Sequence, residues 1–491
     1  MTMPRLKIAT LLLGMAFLAL MGIRQFKYGG WRWASPGFTL SEQASLGDRD
    51  TWMHILQKGG KVGHAHSFRR TSAKGYTIGE EVYMRLTALG TLQEVQMTTR
   101  ANLAADYSLM DFEFVLASGG FRFQSQGRVA GRTLMVEIKT PESERALSIP
   151  LSAPLHLPAG ILDAALAAQL PPGESLALAL FDPATLGNAP ATITNKGPET
   201  IIIAGREHLT RHYTIVFKGA TQHAWMDDRG NLWRQEGLLG LVLEQTTREA
   251  ALGMDVATAA GDIIQDVAIP AGHNLADPAS LPDLAVEISG IDTPAEILHG
   301  GRQQYAGGRL TIIKERIPEA ASRKRPRGTA RTHGEFLQST PFIQADHPRI
   351  KAVVARVTAR HDPALIKVQK LMAWIAEHIK QRPVLSLPSA LSVLEQGVGD
   401  CNEHAVLLAA LGRAAGIPAQ VEAGLVYQNG RFYYHAWNRI FLGEWITADA
   451  IFNQLPADVT HIRLARGADN LYFDLMGMIG KVRVSIVPPT D

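Results

Sequence analysis

The apolar residues of this chain change their period once, near residue 345, and that change limits the fold more than any other feature. Before it, hydrophobic and polar residues alternate in short runs, as in Met110-Asp111-Phe112-Glu113-Phe114 and Phe121-Arg122-Phe123, with Gly-Gly and Ala-Gly turns between them. After it, apolar residues recur at helical spacing. A period of two followed by a period of 3.6 predicts an α+β protein with its β part first. Residues 50–250 read as a mostly antiparallel β domain with a helical interruption near 159–170 and a hairpin around Asp228-Arg229-Gly230. Residues 251–340, with scattered Pro and Gly, read as a connector or small β extension. Helices are expected over 347–360 and 362–380, within a last domain at 341–491.

The chain has 491 residues and one cysteine, Cys401, which excludes intramolecular disulfides and any zinc site built on paired cysteines. It lies in "VGDCNEHAVLLAALGRAAGIPA", residues 398–419. Asp400 and Glu403 have the spacing of a capping box, Ala405, Leu408, Leu411 and Ala415 share one helix face, and Gly416-Ile417-Pro418 form a stop. The helix therefore runs over about 401–415, with Cys401 as its first residue. A thiol there meets unpaired N–H groups and the positive end of the helix dipole, which favour thiolate. A buried, inert cysteine is the ordinary alternative, but a first-turn position behind Gly-Asp suits core packing poorly.

Net charge is +3, from 49 basic and 46 acidic residues, so nothing draws the whole molecule to nucleic acid. The one basic run, Arg323–Arg327, sits among Pro, Gly, Ser and Thr and reads as a solvated linker. At the N-terminus, Arg5 and Lys7 precede an apolar run, Ile8–Ile23, with no small-residue cleavage site after it. Residues 1–30 are thus expected to be an uncleaved signal anchor, a single membrane pass with the bulk of the chain outside the cytoplasm, a cleaved signal peptide being the close alternative. Residues 31–50 would be a tether.

A nucleophilic thiol needs a base, and the base needs an orienting group. In "AQVEAGLVYQNGRFYYHAWNRIFLGEWITADA", Asn429-Gly430 marks a two-residue hairpin turn and Leu442-Gly443-Glu444 a second. If Phe441 faces Trp445, Trp437 faces Asp449, and His435 lies two positions along on the same sheet face. Such diagonal neighbours stand roughly 7–8 Å apart by backbone, within reach of a His–Asp hydrogen bond. His404 and His461 are alternative partners in a metal site with Cys401 and His435, but their spacings match no zinc pattern. His64-Ala65-His66 is an isolated pair on one strand and reads as surface. No metal or cofactor is therefore expected.

These motifs carry a resemblance. "GDCNEHAVLLAALGRAAGIPA", "GRFYYHAWNRIFLGEWITADA" and "NQLPADVTHIRL" resemble the bacterial transglutaminase-like superfamily over about residues 345–465. The resemblance implies a papain-like fold, with a cysteine helix packed on an antiparallel sheet. It also implies a catalytic triad of Cys401 as nucleophile, His435 as base and Asp449 as orienter. Asp449-Ala450-Ile451 departs from the Asp-Pro-Thr common in the family, but the carboxylate is kept. The implied chemistry is acyl transfer from a protein or peptide amide, such as an envelope protein or a peptidoglycan peptide. Hydrolysis is the leading form and protein crosslinking the alternative. The Cys401 N–H would be one oxyanion donor and Gln381 a candidate for the second. A non-catalytic envelope binding protein is the competing class.

Overall fold

The computed structural model describes residues 46–88, 90–118, 121–140, 143–253, 261–291, 293–322, 333–383, 389–467 and 478–488. The expected membrane anchor at 1–30 and the basic run at 323–327 lie outside the described residues. Among the described residues no helix is long and apolar enough to cross a membrane.

Alternation produces the sheet expected of the first part. Fifteen described strands between Arg49 and Thr246 form one sheet. Eight of them, from Arg49–Gln57 to Ser143–Pro150, follow one another as an antiparallel meander. Six of the other seven, from Ser175–Asp182 to Leu241–Thr246, form a second antiparallel meander with Leu155–His156 added in parallel at its edge, and the two meanders meet where Arg49–Gln57 pairs with Leu241–Thr246. Inward residues such as Met53, Ile55, Ala65 and Val82 make one apolar cluster. A short helix, Ile161–Ala167, covers another, against Ile193, Tyr213 and Ile215. Buried Asp163 on that helix is paired with Arg69 at 2.6 Å and Arg49 at 2.7 Å, so the polar group inside this domain is neutralised.

The second part has a separate core. Helices Pro348–Val357, Ala364–His378, Ala390–Gln396 and Cys401–Ala414 contribute to it. So does a five-stranded antiparallel sheet. In that sheet Arg431–Phe441 pairs with Ala419–Gln428, Ile269–Pro270 and Trp445–Ala448, and Ala419–Gln428 pairs also with Ile462–Gly467. The stretch before residue 340 shares this core. Leu284, Val286, Leu310 and Ile312 pack with Leu408, Leu425, Phe432 and Ile486 in one cluster. Asp283–Ser289 pairs with Arg483–Ile486, roughly two hundred residues later in the chain.

The two parts touch beside the cysteine segment. Lys380–Gln381 runs parallel to Val398–Gly399, the two residues before the cap. The carbonyl of nearby Pro383 accepts a 3.1 Å bond from Gln93 of the β domain. Arg145 of the β domain donates to the Thr340 carbonyl and to Asp346, and Phe123 lies against Phe342.

Candidate active site

Cys401 opens its helix under a complete capping box. Asp400 Oδ1 accepts from the Asn402 N–H at 2.9 Å, and Glu403 Oε2 accepts from the Asp400 N–H at 3.0 Å. Gly399 is required by this closure, because a Cβ there would collide with the Glu403 side chain as it turns back. At the far end Gly416 takes a left-handed φ of 77° and the Ile417 N–H reaches the Gly412 carbonyl. Asn438, fully buried, donates to the Ala405 carbonyl at 2.8 Å and ties the first turns of the helix to the sheet.

His435 is carried by the strand Arg431–Phe441. The turn before that strand is Asn429-Gly430, with φ of 49° and 80°, as a two-residue type I′ hairpin needs. Beyond the strand the register places Phe441 opposite Trp445 and Asn438 opposite Ala448, which delivers Asp449 to the next position. His435 Nε2 and Asp449 Oδ2 are 2.6 Å apart, both side chains buried. Asp449 Oδ1 accepts from the N–H groups of Ile451 and Phe452 at 2.7 and 3.1 Å. With its Nε2 given to Asp449, His435 has Nδ1 left for proton exchange. The Ala436 N–H, the next along the strand, lies close enough to the Cys401 sulfur to favour its thiolate, so the cysteine lies at the histidine segment.

The thiol itself differs from the sequence expectation. Cys401 keeps partial exposure, yet desolvation pushes its pKa well up. The carboxylates of Asp400, Glu403 and Asp449 add to that rise, and the Ala436 N–H opposes it. A helix start does offer positive potential, but the acidic residues that make the cap bring negative charge to the same place. The resting thiol is therefore protonated. Asp449 shows the opposite balance. Burial raises its pKa, but His435 and His461 outweigh burial and hold the carboxyl far below its ordinary range.

His461, weighed in the sequence only as a metal ligand and set aside there, is the residue that the triad reading missed. Its Nε2 lies 2.9 Å from the same Asp449 Oδ2, and its Nδ1 lies 3.2 Å from Asp458 Oδ1. The available signal was the i,i+3 pair Asp458 and His461 just ahead of a strand. His404 takes no part: its Nδ1 donates to the Asp400 carbonyl at 2.7 Å, and burial lowers its pKa. Gln381 is exposed, on the short strand beside Val398–Gly399. On the β domain, His66 stacks on Trp52 and bonds to Asp50, with His64 against Tyr83.

The donor atoms of His435, Asp449 and His461 lie within 4.8 Å of one another, close enough to suggest a metal centre. Donors set tetrahedrally at about 2.0–2.1 Å from an ion stand about 3.3 Å apart. Here both imidazoles touch one carboxylate oxygen at 2.6 and 2.9 Å, the geometry of shared protons.

Comparison with known proteins finds a family match within the second part of the chain. Residues 351–450 match the core of the transglutaminase-like superfamily. Among solved structures, a β-barrel-like protein of the family DUF1849 from Brucella abortus is 11% identical, with a TM-score of 0.30 over 41% of this chain and 95% of its own. A candidate cysteine protease from Cytophaga hutchinsonii is 18% identical, with a TM-score of 0.29 over 41% of this chain and 83% of its own. A search of curated proteins finds no match. This chain carries a transglutaminase-like domain at residues 351–450, behind a large β-rich region.

Proposed function

We propose that the protein is an exported, membrane-anchored thiol enzyme that hydrolyses amide bonds through Cys401, His435 and Asp449. The observation that carries this is the buried 2.6 Å His435–Asp449 pair, on the strand whose next N–H favours the Cys401 thiolate. Because the resting thiol is protonated, His435 Nδ1 takes its proton as sulfur attacks the carboxamide carbon. The carbonyl oxygen becomes an oxyanion, held by the Cys401 N–H at the helix start and by Gln381. As the C–N bond breaks, His435 returns the proton to the leaving amine. Water, deprotonated by His435, then opens the thioester and restores the thiol. Asp449 holds the tautomer with Nε2 protonated and stabilises the transient imidazolium.

The substrate class follows from the proposed location: a peptide or protein amide of the cell envelope. The choice of water over an amine acceptor rests on the motif resemblance. The β domain serves as the binding module, since its contact with the Pro383 segment brings it beside the cysteine. The test compares envelope proteins from cells carrying the wild type or Cys401→Ala, with a labelled primary amine supplied. Cleavage products lost in the variant support hydrolysis. Amine incorporation would assign crosslinking instead. An unaltered cellular phenotype in Cys401→Ala would point to a binding protein. Carbonate extraction and N-terminal sequencing test the anchor: a soluble form starting beyond residue 20 would overturn it.

A further inference from the structure

Resting on the triad reading above, we propose that His461 is a positioning residue: a buried imidazolium that clamps Asp449 and offsets its charge at His435. Asp449 Oδ2 is the acceptor for both His435 and His461, while Oδ1 is occupied by the Ile451 and Phe452 N–H groups. His461 Nε2 must therefore carry a proton.

Its other nitrogen faces Asp458 Oδ1 at 3.2 Å. That carboxylate is an acceptor throughout. The Gln454 Oε1 accepts from the Asp458 N–H, which fixes the amide so that its Nε2 donates to Asp458 Oδ2, at 2.9 Å in each case. Thr460 gives both its N–H and its hydroxyl to Oδ1. A lone pair on His461 Nδ1 would face an anion inside a fully buried site, so Nδ1 is protonated as well. The balance of forces agrees, since burial opposes the charge but the bonds to Asp449 and Asp458 raise the His461 pKa.

The charged surroundings complete the picture. Arg302 donates to the carbonyls of Ala457, Asp458 and His461 and pairs with Glu315, so it faces the backbone of the turn. Trp437 and Phe452 supply the uncharged walls. The nearest titratable ring is His435, at 5.7 Å between centroids. A fixed positive charge on His461 offsets the Asp449 carboxylate at His435 and favours thiolate at Cys401.

The test follows Cys401 alkylation by iodoacetamide against pH in the full chain. In His461→Gln the amide still donates to Asp449 but carries no charge. The midpoint of the profile should move up by about one pH unit, with the high-pH plateau unchanged. Asp458→Asn, which removes the partner holding the second proton, should move it the same way by less, and the double variant no further than His461→Gln. A midpoint unmoved in both single variants, with plateaus intact, would reduce His461 to a structural role. If His461→Gln fails to fold, Asp458→Asn alone decides. His435→Ala separates this from the reading beneath it: a wild-type profile indifferent to His435→Ala refutes the triad, whereas a His435-dependent profile indifferent to His461 and Asp458 refutes only the positioning role.

Discussion

Asp449 receives four hydrogen bonds through two oxygens, from two imidazoles and two backbone N–H groups. Its removal therefore has two consequences. Asp449→Asn should lower turnover by up to about 10⁴-fold, the scale of a wrong-tautomer triad. Asp449→Ala should also cost roughly 3–5 kcal/mol of stability, because it strands a buried His461 cation, and chemical denaturation would show it. The sequence could supply only one imidazole for Asp449, His435, and on that basis the alanine variant looks structurally mild. Stability should also depend on pH from both sides. The folded pKa values of Asp449 and Asp458 are lowered, so their contribution is full above the unfolded value of about 4 and is lost as pH falls through the folded ones. That of His461 is raised, so its contribution is full below about 6.5 and is lost as pH rises through the folded value. Thermal midpoints should decline at both ends, and His461→Gln should lose the alkaline decline.

At the scale of elements, the helix and the hairpins were readable because their signals are local. The capping box, the Gly-Ile-Pro stop, the Asn-Gly turn and the Phe441–Trp445 register all lie within a few residues of what they determine. What could not be read is how Ile462–Gly467 comes to the site. It pairs with Ala419–Gln428 across a register shift at Ala423 and Gly424, where Gly424 lies opposite His435. A Cβ on Gly424 would collide with the Ile462 carbonyl oxygen, so glycine is what lets that strand approach and bring His461 to Asp449. Gly424→Ala should separate the two and lower turnover at least tenfold, with most of the helix content kept by circular dichroism. The cap makes a prediction of opposite sign. Asn caps a helix about as well as Asp, and Asp400 is among the charges that raise the Cys401 pKa. Asp400→Asn should therefore leave stability within about 1 kcal/mol and speed alkylation at neutral pH several-fold.

At the scale of the molecule, the β meanders were legible from alternation, and the period change near 345 separates strand-rich from helix-rich chain. The part played by 251–340 was not. Its strands are short, and Asp283–Ser289 finds its partner in Arg483–Ile486, a pairing with no local period to announce it. The practical consequence concerns fragments. A fragment starting near residue 340 lacks Ile269, Leu284, Val286, Leu310 and Ile312 from the core that holds the cysteine helix. It should be aggregated or molten by size exclusion and near-ultraviolet dichroism, whereas one starting near 261 should fold and keep a reactive thiol.

The same strand pairing sets an order of events in time. A polypeptide leaves the ribosome, or a translocation pore, from its N-terminal end, and domains generally fold as they emerge. The β meanders are built from neighbours in sequence and can close early. The sheet of Asp283–Ser289 cannot be completed until residues 483–486 have also emerged, and its apolar face belongs to the core beneath Cys401. The surroundings of Cys401 are thus among the last things this chain finishes: while synthesis is under way, the molecule already has its β domain but not yet the packed core beneath the thiol.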